Sequence, residues 1–146
     1  MKKILILLLI VFLTGCFSKT EKNEGIKELV CSSTYTMKLS EEYEVEATTK
    51  VRFENGTMIS YVNIFMLDLE GEDEKTIDNV FEDMKDYYSD PERQQPGVEQ
   101  VFDKGEDFVS YVMVFDIAGV SEEDKESLGT FESVKEDIEE RNYVCE

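Results

Sequence analysis

Histidine is absent from the 146-residue chain, and with it the side chain that most often serves as a general base or a neutral zinc ligand. A Gly-x-Ser-x-Gly elbow and a phosphate-binding glycine loop are missing too, and the only thiols are Cys16, Cys31 and Cys145. Carboxylate pairs could in principle run a hydrolase, but among 34 acids their closeness in sequence carries little information. The chain therefore reads as a non-enzyme without a cofactor. Basic residues are also scarce: 15 Lys and Arg against 34 Asp and Glu, a net charge of −19. Phosphate backbones are bound by clustered Lys and Arg that release counterions, so nucleic acid is excluded as a partner. No internal repeat and no low-complexity tract interrupts the chain.

The longest apolar run, Ile4 to Leu13, is too short to cross a bilayer as a stable helix. It follows Lys2 and Lys3 and ends in LTGC, after which the chain turns polar. Charge, run length and the pattern Leu, hydroxyl residue, Gly, Cys resemble a bacterial lipobox. On that reading residues 1–15 are a signal peptide, cleavage follows Gly15, and Cys16 carries the lipid. Several acyl chains on one residue hold a soluble domain far more firmly than a single chain does. A plain signal peptide with an incidental cysteine, or an uncleaved anchor, is the competing reading. Loss of Lys2 and Lys3 with the leader leaves 13 basic against 34 acidic residues, or −21. An anionic bilayer would repel such a domain within a Debye length of ~8 Å. Residues 16–26 form a polar tether, of which Phe17 to Gly25 reaches at most about 30 Å at ~3.3 Å per residue.

Residues 27–146 are enough for one domain with a single core. EVEATTKVRFE (Glu44 to Glu54) alternates with period two, Val45, Ala47, Thr49, Val51 and Phe53 on one side and charged residues on the other, as in a strand with one wet face. Asn55-Gly56 is a hairpin signal, and it leads into TMISYVNIFMLDL, apolar on both parities and expected to be central and covered on both faces. LVCSSTYTMKL precedes them as a further strand. Between Glu72 and Ser89 the period changes: Ile77, Val80, Phe81, Met84 and Tyr88 form the stripe of an amphipathic helix. A second hairpin follows, GVEQVF and DFVSYVMVFDIA around DKGE, the latter strand again apolar on both parities. Ser121 and Asp124 make a capping-box pattern on a short helix, and a last helix from about Thr130 to Arg141 turns Phe131, Val134 and Ile138 inward. Asn142 is placed to stop it in the left-handed region, and Tyr143-Val144-Cys145 runs extended. The order βββαββαα predicts an α+β domain, an antiparallel sheet of about five strands with helices mainly on one face.

Three sets of residues are candidates for a site. Cys31 and Cys145 lie in a compartment that permits disulfides, and with Cys16 committed to lipid they form an even pair. Two free thiols or a metal pair are the alternatives, though the thiols are too few for a tetrahedral zinc site. Asp68, Glu70, Glu72, Asp73 and Glu74 could hold calcium, yet DLEGEDEKTID lacks the spacing of the twelve-residue calcium loop, and acids at a helix start are favoured by the dipole alone. No metal site is expected. Tyr61 and Phe65 on one central strand and Tyr111 and Phe115 on the other each share a face, which suits either a ligand platform or ordinary core.

The lipobox, a cysteine in the first strand (VCSSTYT), a strand ending Phe-x-Asn-Gly, an acidic amphipathic helix, a second hairpin and a final helix running into Tyr-x-Cys together resemble the YehR-like small bacterial lipoproteins, a domain family of unknown function. The resemblance spans most of residues 28–146. It implies a lipoprotein with a cysteine pair and brings no catalytic residues. The expected protein is thus a non-enzymatic binding or interaction lipoprotein, anchored through Cys16 to the outer face of the bacterial cytoplasmic membrane or to the periplasmic side of an envelope membrane, with an envelope protein as a possible partner. The alternative is a small-ligand or divalent-cation-binding module. If Cys16 is the lipidated residue, Cys16→Ser should remove fatty-acid label from the protein in cells fed a radioactive fatty acid; equal label on wild type and variant would rule the anchor out.

Overall fold

A computed structural model of the chain describes residues 25–91, 94 and 96–146. The leader 1–15, Cys16 and the tether as far as residue 24 lie outside the described residues. The chain forms β1 (Ile26–Lys38), β2 (Glu42–Glu54), β3 (Thr57–Asp68), α1 (Glu74–Ser89), β4 (Val98–Lys104), β5 (Phe108–Phe115), α2 (Glu122–Ser127), α3 (Phe131–Glu139) and β6 (Val144–Cys145). The strands make one sheet in the order β4-β5-β3-β2-β1-β6, antiparallel throughout. The α+β class and the order of elements are as the sequence predicts, with the two-residue β6 added as a sixth strand at the edge.

Local chemistry explains the boundaries. Asn55 and Gly56 both adopt positive φ, 51° and 84°, as a two-residue hairpin turn with the right twist requires. A bulge between Arg52 and Phe53 pairs Arg52 with Ser60 and Phe53 with Met58. Ile59 is the extra residue, and the shift in parity lets Met58 point into the core. Asp73 caps α1 by accepting the Thr76 N–H at 2.7 Å, and Asn142 (φ 67°) ends the last helical segment in the left-handed region. At α2 the expected reciprocal box does not close: Ser121 accepts the Asp124 N–H, but the Asp124 carboxylate takes the Ser121 hydroxyl proton instead of the backbone N–H. The full box stands at α3, between Thr130 and Ser133.

The helices cover one face of the sheet in two patches. Under α1, Ile77, Val80 and Met84 meet Met37, Val45, Leu67, Val109 and Tyr111. Toward the opposite ends of the same strands, Val134 and Ile138 of α3 meet Leu29, Cys31, Val51, Phe53, Met58 and Ile117. The core is thus two half-cores on a single sheet face. The expectation that β3 is covered on both faces needs correction, and β5 beside it is bare in the same way. Both are central, but Val62, Ile64, Met66, Val112 and Val114 belong to neither half-core, and no described helix packs on their face. A central strand collects apolar residues on both parities once lateral neighbours shield them, with or without a second layer.

Cys31 and Cys145 are bonded to each other across the β1–β6 pair. Their Cα atoms are 4.0 Å apart, closer than the 4.4–6.8 Å usual for disulfides. The cause lies in the ladder: Val30 and Glu146 exchange both backbone hydrogen bonds, which leaves Cys31 and Cys145 as the adjacent narrow, non-hydrogen-bonded pair. The bond spans 114 residues of sequence, so its loss frees a long loop in the unfolded chain. Cys31→Ala should lower stability by about 2 to 5 kcal/mol in urea unfolding, as removal of a native disulfide typically does.

Candidate functional site

Between the two half-cores runs a row of side chains set by strand register alone. Cys145 lies opposite Cys31, Cys31 opposite Thr49, Thr49 opposite Asn63, Asn63 opposite Met113, and Met113 opposite Gln100. Because partners in a ladder share a face, all six point to the helix side. Three of them are polar on an otherwise apolar face. Thr49 is 4% exposed and donates its hydroxyl to Asn63 Oδ1 at 2.7 Å. Asn63, Met113 and Gln100 are half-buried, so the row is partly open to solvent in the space between α1 and α3.

Aromatic rings flank this row on both sides. Tyr61 lies directly opposite Phe115, ring centroids 4.9 Å apart and edge to face, on the α3 side. Phe65 lies opposite Tyr111, 5.7 Å apart and stacked, on the α1 side. The four aromatics expected to share faces therefore share a single one, with Asn63 and Met113 between the two pairs. Tyr88 of α1 stacks on Tyr111 at 3.9 Å, and Phe102 of β4 stacks on its other neighbouring side at 4.9 Å. Tyr111 is thereby fully buried core, whereas Tyr61, Phe65 and Phe115 stay half-exposed. Tyr35 and Tyr143 complete the set, so five tyrosines surround the row.

The electrostatics keep all five neutral. Burial pushes the Tyr35 hydroxyl up to about 12, reinforced by Tyr143 and eased by a hydrogen bond with Tyr88. Burial likewise raises Tyr88, with Tyr35 and Tyr111 adding to it. Tyr61 is raised by burial against the opposing pull of the Arg141 charge and the Asn63 amide; Tyr143 is raised by burial against the Thr49 hydroxyl. The Tyr111 hydroxyl is the one buried side-chain polar atom among the described residues with no hydrogen-bond partner. Gln100 is near enough to favour its ionisation slightly against the burial that raises it, yet makes no bond of ordinary geometry. The row itself thus offers amide and hydroxyl groups between aromatic faces, with the Arg141–Asp137 ion pair near Tyr61 at its α3 end.

The other sequence candidates resolve differently. Asp68 accepts the Glu70 N–H and Asp73 accepts the Thr76 N–H, which holds the Asp73 carboxyl below the usual aspartate range. These acids serve the backbone at the helix start, and no group of three metal-ligating side chains occurs among the described residues. An open hollow of about 560 Å³ at the sheet end, walled by Ile59, Gly97, Val98, Phe115 and Ile117, contains no unpaired buried polar atom. Sequence reasoning missed Thr49, Asn63 and Gln100 as a set. Asn63 was detectable as the lone amide on the inward parity of β3, but the row itself depends on register across six strands. No family model, curated protein or solved structure matches the chain.

Raised tyrosine pKa values have a calculable effect on stability. Above pH 10 the unfolded chain loses tyrosine protons that the folded chain keeps, so stability is intact below about pH 10 and falls as pH rises toward and beyond 12. Urea midpoints should be flat up to about pH 10 and then decline, while tyrosinate absorbance rises in two stages, the second coinciding with unfolding. A single stage near pH 10 for all seven tyrosines would contradict the burial of this cluster.

Proposed function

We propose that the protein is a membrane-anchored, non-enzymatic binding lipoprotein of the YehR-like kind, held at the cell envelope through Cys16, and that the row between the half-cores is its binding surface. The observation that carries the binding reading is the polar row of Thr49, Asn63 and Gln100, partly open to solvent between half-exposed aromatic rings. A polar group bound there exchanges hydrogen bonds to water for bonds to half-buried amides, a net gain of about 0.5 to 1.5 kcal/mol each. Half-exposed rings on either side of neutral amides suit an uncharged ligand with a flat apolar face edged by hydroxyl or amide groups, a saccharide or an uncharged peptide segment. The divalent-cation alternative draws no support from the acid-rich turn, where the Asp68 and Asp73 carboxylates accept backbone N–H groups. No described helix is long and apolar enough to cross a membrane. The sequence contains no tryptophan, so intrinsic fluorescence comes from tyrosine and reports directly on this site. Titration with neutral oligosaccharides and uncharged short peptides should give saturable quenching for one class, weakened by about tenfold or more in Asn63→Leu, the loss expected from about 1.4 kcal/mol of polar contact. Absence of saturable quenching by either class would overturn the ligand reading.

A further inference from the structure

The sheet face away from the helices carries a second, independent pattern. Its centre is a cross-strand row of Thr48, Ile64, Val112 and Val101, on β2, β3, β5 and β4 in turn. Val62 and Val114 lie on one side of this row, Met66 on the other, forming an apolar strip over the central strands with Ile64 only 8% exposed. Along β2 the four charges nearest this row are disposed about it, Glu46 and Glu44 toward one end and Lys50 and Arg52 at matching distances toward the other, with Glu42 and Glu54 at the two ends of the strand. Arg52 pairs with Glu28 at 3.7 Å, but Glu44, Glu46 and Lys50 join no ion pair among the described residues.

We propose that this face is an interface between two copies of the chain, packed sheet on sheet about a two-fold axis that lies along the Thr48–Ile64–Val112 row. Such an axis lays β2 over β2, β3 over β3 and β5 over β5 with strand directions reversed, so Met66 of one copy covers Val62 of the other. Glu46 then meets Lys50 of the second copy, and Glu44 meets Arg52, each twice by symmetry. The same operation brings Glu99 and Asp103 of β4 together at the sheet edge. The crossing angle of about 30° between twisted sheets swings that edge strand away from its counterpart. A partner with unrelated charges would leave both halves of β2 unmatched, whereas a second copy matches the four charges nearest the row; of the β2 charges only Glu42 and Glu54 meet like to like, at the strand ends where the crossing angle separates them. Carboxylates and bases opposed across such an interface chiefly select the partner and its register, while the apolar strip supplies the burial.

The test uses the full-length chain in its own membrane, expressed with two different affinity tags and solubilised gently. Wild-type chains should capture each other. E44K/E46K makes the four β2 charges nearest the row all positive and K50E/R52E makes them all negative, so each variant should lose self-capture by about tenfold or more, and the two co-expressed should restore it. Restoration separates a two-fold interface of this register from any other association, and disulfide formation on a non-reducing gel reports that both variants fold. Thr48→Arg, which sets two guanidinium groups against each other on the axis, gives a second route with a single half-exposed substitution and should abolish capture. Wild-type chains that fail to capture each other would overturn the proposal. So would folded swapped variants that still self-associate, a mixture no better than either alone, or unchanged capture by Thr48→Arg.

Discussion

Antiparallel register is the constraint on which the rest of the molecule depends. Because the five long strands pair in continuous ladders, interrupted by the single bulge at Arg52, the register of each pair determines a side chain's neighbours several strands away. Thr49 meets Asn63 because of the β2–β3 turn and the bulge beside it, Cys31 meets Thr49 because of the β1–β2 turn, and Cys31 meets Cys145 through the separate β1–β6 register. A slip of one residue in β2 would turn Val45, Ala47, Val51 and Phe53 to the solvent face and Glu44, Glu46 and Lys50 inward, so the buried face enforces the register that assembles the polar row.

Division of the core into two patches follows from the same geometry. Strands of twelve or thirteen residues are longer than one short helix can cover. The sixteen residues of α1 protect one end and the nine of α3 the other, leaving a strip between them that is neither fully dry nor fully wet. The polar residues sit on that strip. The ion pairs lie at the surface, among them Lys27–Glu132, Lys85–Glu82 and Lys135–Glu139, and exposed pairs of this kind contribute little to stability. Apolar burial in the two half-cores and the disulfide therefore hold a strongly acidic chain together.

Much of this was legible in the residues. Period two in β2, the Asn55-Gly56 turn and the helical stripe from Ile77 to Tyr88 specify their elements locally, and the inward side of Cys31 follows from its parity with Tyr35 and Met37. What was not legible arises at longer range. A two-residue strand such as β6 has no periodicity to read and exists because the β1 edge and the disulfide hold it. The bulge at Arg52 changes the parity of Met58 with no glycine to announce it. Apolar residues on both sides of β3 and β5 look alike whether covered by helices or only by their lateral neighbours. Five tyrosines gather from β1, β3, α1, β5 and the segment before β6, a convergence that no window of sequence contains.

One further consequence concerns force. Whatever precedes Gly25 pulls on β1 along its own axis, and that strand is hydrogen-bonded to β2 over thirteen register positions. A load applied there acts in shear on many backbone bonds at once, instead of peeling them open one after another. Five residues into the strand the covalent bond at Cys31 passes part of the load to β6 and so to the end of α3. A domain dragged by its amino-terminal end would resist as a unit, with both half-cores and the strip between them spared until the sheet itself gives way.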